Sequence, residues 1–116
     1  MKRLLIFSLV FISLSSFHKS EDLPTNLKIT VLDDMGNFIE GAEVTLFGTE
    51  DDYRNEENPV AEKQLTDKKG QVRFTDLESK VYFVLVKKGD MNNDGGAVQT
   101  SKLAEGKYNK VNIIIE

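Results

Sequence analysis

The sequence predicts an all-β domain, a two-sheet sandwich of about seven short strands, carried behind an N-terminal export signal. Three observations predict it. From Leu27 onward, apolar residues recur with a period of two and are interrupted at short intervals by Gly, Asn and Asp. No segment has the 3.6-residue apolar stripe of a long amphipathic helix. The opening MKRLLIFSLVFISLSSF has the parts of a secretory signal: a positive start, an apolar run and then small residues.

In the signal, Lys2 and Arg3 supply the charge and Leu4 to Leu14 the apolar run. That run is too short for a transmembrane helix, which needs about 20 residues. Ser13 and Ser15 stand where a peptidase reads small side chains, so cleavage is expected between Ser15 and Ser20. Residues 1–20 are then the signal, with an uncleaved membrane anchor as the alternative, and residues 21–116 form one domain, the most a 116-residue chain accommodates. The expected location is periplasmic or extracellular, without a membrane span once the signal is removed. Leu14-Ser15-Ser16-Phe17 matches three positions of a bacterial lipobox, but Phe17 stands where lipid attachment needs a thiol.

The chain has no cysteine. Lipidation, disulfides, thiolate catalysis and cysteine-based metal sites are therefore excluded. The single histidine, His18, lies at or before the expected cleavage region. A mature chain without imidazole has no Ser-His-Asp hydrolysis, no histidine-ligated zinc and little general-base chemistry near neutral pH. The net charge of −4 becomes more negative when Lys2 and Arg3 leave. An acidic domain with no basic stripe in its sequence is a poor partner for nucleic acid.

Along the mature chain, LKITVLDD alternates Leu27, Ile29 and Val31 against Lys28 and Thr30, and DDMGNF supplies a turn at Gly36. Ala42, Val44 and Leu46 form the next inward set. GTEDDYRNEENPVAE, with acids at Glu50-Asp51-Asp52 and Glu56-Glu57, reads as a surface loop, with an irregular strand near Val60 to Leu65. TDKKG turns into QVRFTDL, whose inward residues are Val72 and Phe74. Val81 to Val86 is apolar on both faces, as in a central strand covered on both sides. GDMNNDGG is a loop, VQTSKL a short edge strand, and YNKVNIIIE closes the chain with Val111, Ile113 and Ile115 on one face. The predicted shared core is Val44, Leu46, Val72, Phe74, Val84, Val86 and Ile113.

Two phrases, D-x-x-G-x-x-I-x-G-A-x-V-x-L from Asp33 to Leu46 and T-D-x-x-G-x-V-x-F-x-x-L from Thr66 to Leu77, precede Tyr82-x-Val84-x-Val86-x-Lys88-Gly89. Together they resemble the carboxypeptidase regulatory-like domain over residues 26 to 116. The resemblance implies a transthyretin-like (prealbumin-like), seven-stranded Greek-key β-sandwich. It also implies a non-catalytic accessory module with a structural or protein-interaction role in the bacterial envelope. It transfers no functional residues, and the partner it leaves open is an envelope protein or glycan.

One motif invites a ligand. Asp90-Met91-Asn92-Asn93-Asp94-Gly95 satisfies D-x-[DN]-x-[DN]-G, the first half of an EF-hand loop, so Asp90, Asn92 and Asp94 are the calcium candidates. The second half fails, because Ser101 stands where a bidentate glutamate belongs. Asp67, Asp76 or Glu78 would have to complete a site from neighbouring loops. The turn chemistry of Asn, Asp and Gly accounts for the segment without a metal, so the reading is a plain loop with no metal and no cofactor; calcium is its alternative. Tyr53, Tyr82 and Tyr108 are weighed as a sugar-stacking platform, with Tyr82 assigned instead to the core.

Overall fold

The computed structural model describes residues 23–116, so the signal, its cleavage region and His18 lie outside the described residues. The elements in chain order are β1 (Asn26–Leu32), β2 (Glu43–Phe47), α1 (Glu50–Asn55), β3 (Gln64–Leu65), β4 (Gln71–Phe74), β5 (Phe83–Lys88), β6 (Met91–Asn92) and β7 (Tyr108–Ile114). They form two sheets, one ordered β4-β1-β7 and the other β3-β2-β5-β6. No helix among the described residues is long and apolar enough to cross a membrane.

β1 is the centre of the three-stranded sheet. It runs antiparallel to β4, with Leu27 opposite Phe74 and Ile29 opposite Val72, and parallel to β7, with Val31 beside Ile113. In the other sheet β2 pairs antiparallel with β3 and β5, which sets Val44 opposite Val86 and Leu46 opposite Val84. Because side chains alternate across a strand, these registers aim one set from each sheet at the other. Leu27, Ile29, Val31, Val72, Phe74, Ile113 and Ile115 meet Ala42, Val44, Leu46, Val84 and Val86, with Tyr82 and Leu103 at the margin. All seven residues of the predicted core are buried. The two-sheet, mostly-strand architecture follows from the period-two pattern.

The two phrases that share D-x-x-G build the same turn twice. Asp33 Oδ1 accepts the N–H groups of Met35 and Asn37 at 3.0 and 2.8 Å, and Asp67 Oδ1 accepts those of Lys69 and Gln71, each at 2.9 Å. In both, the glycine N–H closes onto the aspartate carbonyl, at 3.1 Å for Gly36 and 2.9 Å for Gly70. Gly70 has a second reason to be glycine. Its φ is +71°, and a Cβ there would lie 2.6 Å from the Val31 carbonyl oxygen, so any side chain would push β1 away. Thr66 ties this turn to β2, since its hydroxyl accepts from Ala42 N–H at 2.8 Å and donates to Ile39 O at 2.6 Å.

Three expectations are corrected. Glu50 to Asn55, read as loop, is a helical turn and a half: Thr49 caps it by accepting Asp52 N–H at 3.1 Å, and Glu56 ends it in the left-handed region. VQTSKL forms no strand, only a single bridge between Gln99 and Phe83. The irregular strand near Val60 to Leu65 contracts to Gln64–Leu65. β5 is apolar on both faces because α1 lies over its outer side, where the Tyr53 ring packs against Phe47 and Phe83 at centroid distances of 6.2 and 6.4 Å.

Candidate functional site

The DMNNDGG segment begins as the return limb of a tight hairpin. Lys88 pairs with Met91 and Lys87 with Asn92 across a turn at Gly89 and Asp90. After two ladder residues the strand stops, and Asn93 swings inward. Its side chain is 1 % exposed and takes the place of a missing strand along the edge of β5. Asn93 Oδ1 accepts the N–H of Val86 at 3.0 Å, while Nδ2 donates to Val84 O at 2.8 Å and to Ala97 O at 3.1 Å. A buried backbone N–H and two carbonyls are thereby satisfied by one amide. The remaining polar groups serve the same loop: Asn92 Oδ1 accepts Asp94 N–H at 2.8 Å, and Gly96 N–H donates to Asn93 O at 3.0 Å. The backbone of Asn92 also exchanges two hydrogen bonds with Glu116, which ties the chain terminus to this corner.

The calcium candidates are split among a hairpin turn (Asp90), a two-residue strand (Asn92) and a second turn (Asp94) rather than curled around one centre as in an EF-type loop. Asp90 is exposed in the turn and Asn92 is committed to Asp94 N–H. Asp76, whose N–H donates to Asn26 Oδ1, sits at the Asn26–Tyr108 end of the first sheet, whereas the loop sits by Ile114 and Glu116 at the other end. At ~3.3 Å per residue that separation is roughly 20 Å. Glu78 is beside the Tyr82 hydroxyl, which accepts its N–H at 3.0 Å, and Asp67 is held within its own turn. No group of three or more His, Cys, Asp or Glu side chains converges among the described residues.

What the loop does form, with α1 and β5, is a groove of about 310 Å³ on the outer face of the four-stranded sheet. Leu85 and Tyr53 give it an apolar floor, and Arg54, Glu56, Lys87, Asn92 and Asp94 give it a mixed-charge rim. Lys87 Nζ meets Glu56 Oε1 at 3.0 Å, and Arg54 pairs with Glu50 along the helix. Exposed pairs of this kind contribute about 0–1 kcal/mol each. Burial, then the Asp94 carboxylate, push the Tyr53 phenol up from 10.0, so it stays a neutral hydrogen-bond donor and acceptor. The groove thus combines an apolar floor with hydrogen-bonding and charged groups at its rim.

No family model matches the sequence, and no curated protein matches it significantly. Solved structures do match. A streptococcal ancillary pilin superposes with a TM-score of 0.61 at 16 % identity, over 96 % of this chain and 36 % of the pilin. BcpA, the major pilin subunit of Bacillus cereus, gives 0.52 at 14 % identity, over 81 % of this chain and 30 % of that one. Chlorocatechol 1,2-dioxygenase from Pseudomonas putida gives 0.52 at 16 % identity, over 89 % and 64 %. The chain is a β-sandwich. It spans about a third of the length of the two pilins, and at these identities the likeness is one of fold alone.

The tyrosines do not share a face of the sandwich. Tyr82 is buried, Tyr53 is carried by α1 against the outer side of the four-stranded sheet, and Tyr108 stands on the outer face of the three-stranded sheet. Sequence reasoning missed one constellation on that last face. The registers place Arg73 directly opposite Lys28, and Lys28 directly beside Lys110, in one row across β4, β1 and β7. A basic stripe therefore exists on this acidic domain. It is made by strand pairing between residues far apart in the chain.

Proposed function

We propose that this chain is an exported, non-catalytic β-sandwich module that acts through its surface in the bacterial envelope. The carboxypeptidase regulatory-like resemblance, with its transthyretin-like Greek-key order, belongs to the same proposal. One observation supports the non-catalytic reading above others: the most deeply buried polar side chains serve the backbone. Thr25 Oγ1 accepts Gly106 N–H at 2.8 Å, Thr66 joins Ala42 to Ile39, Thr100 Oγ1 accepts Tyr82 N–H at 3.0 Å, and Asn93 closes β5. A catalytic site needs polar groups that converge on a cleft with room for a reacting atom; these four are committed to backbone groups of the fold. The pilin subunits among the fold neighbours support a role in assembly or interaction, and Asp90–Gly96 goes with that role as a structural loop without calcium.

Mass spectrometry of the protein recovered from the envelope or medium tests the export reading. The expected N-terminus lies between Ser16 and Glu21, without a lipid adduct. An intact Met1 would overturn it. Crosslinking in that fraction is expected to trap a macromolecular partner reproducibly, and recovery of the domain always alone would count against an interaction role.

A further inference from the structure

We infer that the outer face of the three-stranded sheet binds an extended acidic polysaccharide of the polyuronate class. This names a partner for the interaction module proposed above and rests on that reading. The starting point is the row Arg73–Lys28–Lys110. Like charges directly opposite each other on a sheet are destabilising, and Lys28, the middle one, is half-buried between the other two. Residues 23–116 contain 17 Asp and Glu against 12 Lys and Arg, counted from the sequence. Acids are thus in excess, yet the ion pairs among the described residues are Arg54–Glu50, Lys63–Glu43 and Lys87–Glu56. None neutralises the row. Asp67, whose carboxyl is lowered chiefly by the Gln71 N–H and in part by Arg73, spends its oxygen on its own turn.

The neighbouring groups on that face define the ligand's chemistry. Strands lie ~4.8 Å apart, so the three cations form a line ~10 Å long, a pitch suited to a polymer with one carboxylate per sugar ring. Arg73 is held in place, its Nε donating to the Tyr108 hydroxyl at 2.6 Å and its Nη2 to Gln71 Oε1 at 3.4 Å. The Tyr108 ring, 45 % exposed, stands beside the row and offers an apolar plate for a sugar face. Gln71 and Asn112 flank Thr30 in the next row along the sheet, where they can hydrogen-bond sugar hydroxyls. The face is an open sheet rather than a cleft, which fits a chain lying across it. Duplex DNA, with one charge per about 1.7 Å, meets a domain whose remaining surface is acidic and repels it. A polyuronate has a lower charge density and is repelled less.

The test is isothermal titration of the exported chain with oligogalacturonate at low salt, with a neutral glucan oligomer and a DNA duplex as comparison ligands. Oligogalacturonate is expected to bind and the other two are not. Lys28→Gln/Lys110→Gln should weaken binding roughly tenfold or more by removing charge-assisted hydrogen bonds. Lys63→Gln/Lys87→Gln, which removes the same charge from the opposite sheet, should leave it unchanged. Lys28→Gln alone should melt no lower than wild type, because it relieves like-charge repulsion. Absence of oligogalacturonate binding, equal losses in the two double variants, or equally tight binding of DNA or neutral glucan would overturn the inference. Any of these would leave the export and crosslinking results, and so the broader module reading, standing.

Discussion

Replacing Asn93 by alanine removes three hydrogen bonds at a position 1 % exposed to solvent. Val86 N–H and Val84 C=O then face a small void where the amide stood. A buried donor or acceptor left without a partner costs about 1–3 kcal/mol, so two of them give an expected loss of roughly 2–6 kcal/mol. That is a large part of the 5–15 kcal/mol typical of a domain. Urea unfolding followed by far-UV circular dichroism reads it directly. Asn93→Asp removes only the donor half of the amide. Its Oδ1 can still accept from Val86, but the second oxygen faces the carbonyls of Val84 and Ala97 and must hold a proton. The carboxyl is thus raised in the folded state above its unfolded value of about 4. Such a group lets the variant keep its stability at low pH and lose it as pH rises toward the folded value. An alanine variant within about 1 kcal/mol of wild type, or an aspartate variant with the pH profile of wild type, would refute the account of this loop.

Phe74→Ala should cost about 3–5 kcal/mol, because Phe74 fills the space between the sheets. Thr45→Ala, on the outward phase of β2, should cost about 0.5 kcal/mol or less, and equal losses in denaturant melts would contradict the phase assignment. Asp33 and Asp67 are both held below the usual 3.8, the first chiefly by the Asn37 N–H and the second by the Gln71 N–H. Lowered carboxyls contribute stability that is present above the unfolded value and lost as pH falls through the folded one. Wild type should therefore weaken on acidification below about pH 4, and Asp33→Ala/Asp67→Ala, less stable at neutral pH, should show a flatter acid limb in the same melts.

Strand phase was legible in the sequence because burial on one side of a pleat writes itself as alternation, from Leu27-Ile29-Val31 to Ile113-Ile115. The D-x-x-G turns were legible because an aspartate accepting its own downstream N–H groups is local chemistry. Helix α1 was not, since six residues show no 3.6 period; the signal that could have found it is Thr49 ahead of Glu50-Asp51-Asp52, a cap followed by acids. In the sequence Asn93 is one of several turn formers, yet in the fold it acts through its side chain. Adjacent asparagines look alike in sequence, and only the end of the β6 ladder decides which one turns inward. The Arg73–Lys28–Lys110 row was invisible for a different reason. It exists only once β4 and β7 have chosen their registers on β1.

On the proposed reading, Asp90–Gly96 closes the edge of a sheet rather than holding an ion. The Asn93 side-chain amide, observed by nitrogen-15 NMR in exchange with deuterated water and under calcium titration, tests it most directly. The account predicts two protected Nδ2 protons that exchange only with opening of the sheet, and resonances of Asp90 to Gly96 that do not move until calcium reaches the millimolar range of weak extracellular sites. Rapid exchange of that amide, or saturable shifts at micromolar calcium that vanish in Asp90→Ala and Asp94→Ala, would contradict it.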